Sequence, residues 1–384
     1  MKYQALITSK LPEIGTTIFT IMSKLAMDHN AINLSQGFPD FNCDENLLAL
    51  VTKYMQAGHN QYAPMAGIMP LRERIAEKTA ILYNAKYNPE TEITITAGGT
   101  QAIFTAISAI VREGDEVIIF EPAYDCYQPA IELNGGKTIY MQLQYPNFTI
   151  DWEQVKKVIN HRTKMIIINT PHNPTGSTMS EADMKMLQKI TENTEIIILS
   201  DEVYEHIIFD NATHQSVTRF PKLAERSFVV SSFGKTFHIT GWKIGYCIAP
   251  ENLMAEFRKV HQFLVFSVNT PIQFALTEYL QHKESFLNLG DFYQKKRDFF
   301  ANGLKHSKFE LLPVKGGYFQ LLSYKNSLQQ NDKEYATWLT KEKKIASVPL
   351  SAFYHEDIDN ELLRFCFAKK EETLQKAIDI ICGL

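Results

Sequence analysis

Residues 164–206 read "KMIIINTPHNPTGSTMSEADMKMLQKITENTEIIILSDEVYEH". "KMIIINT" is a continuous apolar run closing in polar residues, the pattern of a strand buried on both faces. "PHNPTGSTM" is loop chemistry, rich in Pro, Gly, Ser and Thr. "SEADMKMLQKITENT" opens with Ser180 and Asp183 at capping-box spacing and continues as a helix. "EIIILS" is a second buried strand, and "DEVYEH" follows its end. Val/Ile runs alternating with amphipathic helices specify an α/β domain whose sheet is mostly parallel and covered on both sides.

The alternation continues outward. Upstream, "EITITAGG" is a strand ending in glycine, "TQAIFTAISAIVREG" a helix closed by Gly114, and "DEVIIF" a short buried strand. Downstream come the strands "SFVVSS" and "WKIGYCIA" and the helix "NLMAEFRKVHQFLVF". This large domain covers 45–280. Beyond it, "FELLPVKGGYFQLLSY" and "ELLRFCFA" are strands and "EETLQKAIDIICGL" a closing helix, a smaller α+β domain over 281–384. Residues 1–44 are expected to dock on that smaller unit as an N-terminal arm, since a terminus is ordered only where it is tied down.

With 384 residues there is chain enough for two cores. The net charge of −4 is spread without runs of like sign, which argues against a nucleic-acid partner. Five scattered cysteines form no C-x-x-C or His/Cys metal spacing, so no metal is expected and reduced thiols fit a cytoplasmic protein. No apolar run has signal-peptide or membrane-spanning length.

Ligands of an open α/β sheet lie beyond the carboxyl ends of its strands. Gly98-Gly99-Thr100-Gln101 follows the first strand and opens a helix, which suits either a plain turn or amides facing an anion. Tyr124 follows the second, as a core aromatic or a ring-stacking group. Asn173-Pro174 follows another, as a turn or as a platform for the Asn amide. Asp201 ends a very apolar strand, either exposed to solvent or aimed at a ligand cation. Ser232-Phe233-Gly234-Lys235 ends the next. Gly234-Lys235-Thr236 imitates the tail of a nucleotide loop, but the required first glycine is Val229, so that reading fails. Taken together, a glycine turn, an aromatic, an Asn, a carboxylate and a lysine match the phosphate, flat ring, ring oxygen, ring nitrogen and aldehyde of pyridoxal 5′-phosphate.

Seven segments carry a resemblance: "NLSQGFPDF" (33–41), "NQYAP" (60–64), "TAGGTQA" (96–102), "NTPHNPTG" (169–176), "SDEVYEH" (200–206), "SSFGKTFHITGWKIGY" (231–246) and "LLRFCFAKKE" (362–371). Over essentially its whole length the chain resembles the class I/II aminotransferases, pyridoxal-phosphate enzymes of fold type I. "NLSQGFPDF" and "RFCFAKKE" point to the branch of bacterial methionine aminotransferases and kynurenine/glutamine transaminases. The resemblance implies a seven-stranded, mostly parallel sheet in the large domain and a ping-pong exchange between an amino acid and a 2-oxoacid. It implies Lys235 as the lysine bonded to the cofactor aldehyde, Asp201 as partner of the ring nitrogen, and Tyr204 and Asn173 as donors to the ring oxygen. Tyr124 would stack on the ring. Gly99, Thr100, Gln101, Ser232 and Lys243 would form the phosphate site, with Tyr62 reaching it from the other subunit of a homodimer. Arg364 would clamp the substrate α-carboxylate, with Gly37 and Asn173 beside it.

The same resemblance makes Phe19, Tyr62, Thr100 and the partner subunit's Phe266 walls of the side-chain pocket. Those walls suit methionine, phenylalanine, tyrosine or another large neutral side chain. No second arginine is assigned for a dicarboxylate. Phe19 stands where the animal kynurenine enzymes have tryptophan, and Ser267 where they have histidine. Kynurenine–oxoglutarate transamination and β-lysis of cysteine S-conjugates are the alternative activities, and a non-catalytic ligand sensor on the same fold is the non-enzyme alternative.

Overall fold

The structure is a computed structural model describing residues 7–325, 330–356 and 358–384. Seven strands form the central sheet: β1 (Ile93–Thr96), β2 (Glu116–Glu121), β3 (Lys137–Gln142), β4 (Thr163–Asn169), β5 (Ile197–Asp201), β6 (Ser227–Ser232) and β7 (Gly245–Ile248). Their order is β1-β7-β6-β5-β4-β2-β3, parallel except for β7, which runs against both neighbours. The apolar runs are central because both faces are covered; Ile166, Ile168, Ile198 and Val229 face one core, and Met165, Ile167, Leu199 and Val230 the other. Helix α1 (Gly99–Ile110) belongs to the second core, through Ala102, Ile103, Ala106 and Ile107. Helix α2 (Glu181–Thr191) packs on the first through Met184 and Leu187. Ser180 caps α2 through the N–H of Asp183, whose carboxylate accepts the Ser180 N–H in return. Helix α3 (Glu251–Leu264) lies against α1, and α4 (Thr270–Tyr279) against the helix Glu45–Gln56.

A second sheet centres on β8 (Phe319–Ser323) and β9 (Leu362–Cys366), which pair antiparallel. The closing helix α5 (Glu371–Cys382) packs on Leu289–Gly303. Ile32–Asn33 pairs in parallel with Ile345–Ala346 as a separate two-stranded sheet, and the Leu34 carbonyl accepts the Cys366 N–H of β9, which ties residues near the amino end to the smaller sheet. No helix among the described residues is long and apolar enough to cross a membrane.

Behind the carboxyl edge of the central sheet lies a buried ion pair. Lys78 Nζ donates to Glu205 Oε1 at 2.7 Å, and both side chains are buried. Ser231 Oγ, Tyr246 Oη and Tyr83 Oη also donate to Glu205. Burial alone would raise the Glu205 carboxyl; Lys78, His206 and the hydrogen bonds outweigh it and hold the group well below the ordinary carboxylate range. A group so depressed adds stability above its unfolded value and loses it as pH falls. Lys78→Met should strip the charge of its partner and lower unfolding free energy by about 3 kcal/mol. Urea denaturation at neutral pH checks this, and an unchanged midpoint would show the pair to be irrelevant to stability.

Candidate active site

A cavity of about 290 Å³ opens at the carboxyl edge of the sheet. Because β7 runs antiparallel, its beginning lies at that edge, so Lys243 just ahead of it enters the same cavity as residues that follow β1, β2, β4, β5 and β6. Asp201, the last residue of β5, is buried. Tyr127 Oη donates to its Oδ2 at 2.6 Å, and the Val203 N–H to its Oδ1 at 3.3 Å. Burial pushes this carboxyl up to about 6, against the pull of those two donors and of Lys235. A buried carboxylate in this position favours a cationic partner, which would restore the charged form.

Lys235 follows β6 in a single helical turn, Phe233–Thr236. Its Nζ donates to the Gly37 carbonyl at 3.1 Å and lies 5.7 Å from the ring centroids of Tyr204 and Tyr318. Burial lowers the Lys235 ammonium to about 8, with Arg364 and Lys243 adding to the effect against Cys366 and Asp201. The neutral amine therefore becomes available near pH 8 instead of above 10, which suits a nucleophile and base. Tyr124 and Tyr204 both line the cavity, and burial raises both phenols, so they stay protonated donors at neutral pH.

At the opposite end, Gly98 sits at φ +85°, where glycine is favoured, and α1 begins immediately after it. Gly98, as the N-cap, has no side chain to cover these first amides, and Gly99, Thr100 and Ser232 line the wall beside them. A side chain on Gly98 would stand 3.5 Å from Lys243 Nζ. Helix N-terminal amides with a cation alongside form an anion cradle. Gln101 departs from expectation: its side chain is outside the cavity. Its amide oxygen accepts the Ala97 N–H at 2.9 Å, and its amide nitrogen meets Thr105 Oγ1 and His261 Nδ1. A residue on the first turn of a helix can face the anion or the neighbouring helix, and here α3 offers the partner.

Arg364, on β9, is buried among three aromatic rings, 4.0 Å from the Phe319 centroid, 5.1 Å from Phe353 and 5.2 Å from Phe19. It donates to Asn173 Oδ1 and to the Ser35 carbonyl, both at 2.8 Å. Its Nε is buried with no hydrogen-bond acceptor among the described residues. Burial brings the guanidinium down to about 10, still cationic at neutral pH. Gly37 is confined, because a Cβ there would come within 2.9 Å of Phe319.

The cavity thus brings together Lys235, Asp201, Tyr204, Tyr124, Asn173, Gly99, Thr100, Ser232, Lys243, Arg364, Gly37 and Phe19. Tyr62 and Phe266 do not line it. They are 80% and 53% exposed and meet edge to face at 5.2 Å. Four contributors escaped the sequence reading. Tyr127 holds Asp201; Tyr318 donates to the Gly37 carbonyl at 2.6 Å; Phe319 and Phe353 flank Arg364. The spacing of Tyr127, three residues after Tyr124, was the available signal for the first.

The donor set fits pyridoxal 5′-phosphate. An anion cradle with a cation, a buried carboxylate short of a cation and a half-buried amine of lowered basicity are the partners of its phosphate, ring nitrogen and aldehyde. The unpaired Nε of Arg364 then fits a carboxylate on the substrate.

Comparison with known proteins agrees. Residues 29–381 match the family model described as aminotransferase class I and II. The chain is 50% identical to the methionine aminotransferase of Escherichia coli (strain K12) over 372 residues, 97% of this chain and 96% of that one. A crystal structure of an Escherichia coli protein with methionine aminotransferase function superposes with a TM-score of 0.97 at 49% identity, covering 99% and 100% of the two chains. The N-succinyldiaminopimelate aminotransferase of Mycobacterium tuberculosis superposes with a TM-score of 0.95 at 34% identity, covering 98% and 100%. The kynurenine–oxoglutarate transaminase of Dictyostelium discoideum is 32% identical, covering all of this chain and 98% of its own.

Proposed function

This chain belongs to the class I and II aminotransferase family, and on that premise we propose that it moves the α-amino group of methionine and other large neutral or aromatic amino acids to a 2-oxoacid. It is a pyridoxal 5′-phosphate-dependent transaminase. The observation that carries the substrate reading is the aromatic cage around Arg364. Phe19, Phe319 and Phe353 surround the guanidinium, Asn173 and the Ser35 carbonyl engage its terminal nitrogens, and Nε has no acceptor among the described residues. A carboxylate is gripped there while an apolar side chain meets rings. Among the residues lining the cavity Arg364 is the one arginine, so nothing in this chain's wall matches a second carboxylate. The 50% identity to a methionine aminotransferase supports the same reading.

Each residue has a part. The cofactor, when bound, supplies an aldehyde that condenses with amines and a ring that accepts the electrons left when a proton departs the substrate α-carbon. Lys235 Nζ, its basicity lowered to about 8 by burial, would hold the aldehyde at rest and, once freed and neutral, would take the α-proton. Asp201, fixed by Tyr127, would keep the ring nitrogen protonated by opposing charge. Tyr204 and Asn173 would donate to the ring oxygen, and Tyr124 would cover the ring. Gly99, Thr100, Ser232 and Lys243 would hold the phosphate. Arg364 would orient the substrate α-carboxylate and so select which bond of the α-carbon is broken.

A panel of amino donors with a common oxoacid tests the preference. Methionine, phenylalanine and tyrosine should be used with kcat/KM at least about tenfold above aspartate. Aspartate preferred over all three would overturn it. Kynurenine as the best donor would move the assignment to the kynurenine transaminases, and pyruvate and ammonia released from a cysteine conjugate without oxoacid would add β-lysis.

The active unit is a cytoplasmic homodimer. Tyr62 and Phe266 are exposed and outside this chain's own cavity, as residues serving a second copy would be. Sedimentation should give twice the chain mass; a fully active monomer would refute the assembly.

A further inference from the structure

We propose that Gln101 and His261 form a positioning bridge between two loops: the turn 97–100 at the phosphate end of the cavity and the segment 61–67 that carries Tyr62. The proposal rests on the reading of that turn as the phosphate site. It gives Gln101 a task that its departure from the cavity leaves open.

The bridge is continuous. The Ala97 N–H donates to Gln101 Oε1 at 2.9 Å. Gln101 Nε2 is 2.6 Å from Thr105 Oγ1 and 3.1 Å from His261 Nδ1. His261 Nε2 lies 3.2 Å from the Met65 carbonyl. The polarities are mutually determined. The Met65 carbonyl can only accept, so Nε2 carries the ring proton. Nδ1 must then accept, which turns the amide nitrogen of Gln101 toward it and leaves the amide oxygen for the Ala97 N–H. His261 is fully buried against the Phe257 ring, at a centroid distance of 5.9 Å and 20° between planes. Burial lowers its basicity to about 4, so the neutral ring this pattern needs is the form present at neutral pH.

Both ends of the bridge are loops with functional side chains. At one end, Gly98 needs its positive φ for the α1 amides to face the cavity, and the Ala97 N–H is the adjacent donor. At the other, segment 61–67 is anchored to the start of α4: Ser267 Oγ donates to the Ala63 carbonyl at 3.0 Å and Thr270 Oγ1 to the Gln61 carbonyl at 2.6 Å. Tyr62 lies between these anchors. Neither Gln101 nor His261 lines the cavity, and the bridge meets it at the turn 97–100, so their influence falls on the phosphate end.

The test compares two ligands on the apoprotein, pyridoxal 5′-phosphate and pyridoxal, which differ only by the phosphate. His261→Phe keeps a ring against Phe257 and removes both hydrogen bonds. It should weaken pyridoxal 5′-phosphate binding about tenfold and pyridoxal binding less than about twofold. Gln101→Leu should do the same, and the double variant should be no more than about twofold weaker than the weaker single one, because both cut the same bridge. If one variant fails to fold, the other carries the test. Equal loss for both ligands would mean general loosening and would overturn the bridge, as would no loss for either. Wild-type protein that binds pyridoxal 5′-phosphate no better than pyridoxal would overturn the phosphate reading as well, a result separable from any change in the variants.

Discussion

Lys235→Ala should reduce transamination by about 10⁴-fold or more while the protein still folds and still binds pyridoxal 5′-phosphate. The expectation rests on position. Lys235 is half-buried, its Nζ points at the Gly37 carbonyl across the cavity, and burial brings its basicity down to about 8. Lys243 also lines the cavity, but it stands by Gly98 at the anion end. It cannot replace an amine at the aldehyde end. Lys235→Arg keeps a cation and should be equally inactive, because a guanidinium stays protonated and neither condenses nor takes a proton. Binding persists because the anion cradle, Tyr124 and Asp201 are untouched. Steady-state rates with methionine, alongside cofactor titration, check both halves. Turnover within about tenfold of wild type would remove Lys235 from the chemistry.

Arg364→Ala should lower kcat/KM for α-amino acids by about 10²- to 10³-fold, the scale of losing one member of a buried charged hydrogen-bond pair. An amine of similar shape without the carboxylate should lose far less, since it never used the fork. Arg364→Lys retains charge yet offers no planar pair of donors, so it should stay at least about tenfold below wild type. The structural cost is local: the variants release Asn173 Oδ1 and the Ser35 carbonyl, which Arg364 holds at 2.8 Å. Comparing amino acid with plain amine separates that cost, which both substrates share, from loss of the carboxylate grip. Equal losses for the two would assign Arg364 to structure alone.

Much of this was legible in the residues. Buried parallel strands announce themselves as Val/Ile runs because both faces are covered. The residue after each run stands at one edge by topology, which is why Asp201, Asn173, Tyr124 and Lys235 stand out in the sequence. Contributions from outside the central sheet were harder. The Ser35 carbonyl meets Arg364 across 329 residues, and the Gly37 carbonyl meets Lys235 across 198. A backbone oxygen has no sequence signature. Tyr318, Phe319 and Phe353 read as ordinary core aromatics until β8 and β9 pair and set Phe319 against the guanidinium. Gln101 shows the opposite limit: its place on the first turn of α1 is evident, but the direction of its side chain is set by His261, 160 residues away in sequence on the packed helix α3.

The most direct test is reduction of the cofactor-loaded protein with borohydride, followed by peptide mapping by mass spectrometry. The account predicts that the pyridoxyl group is recovered on the peptide containing Lys235 and on no other lysine. Recovery on Lys243 or elsewhere, or no covalent label despite bound cofactor, would contradict it.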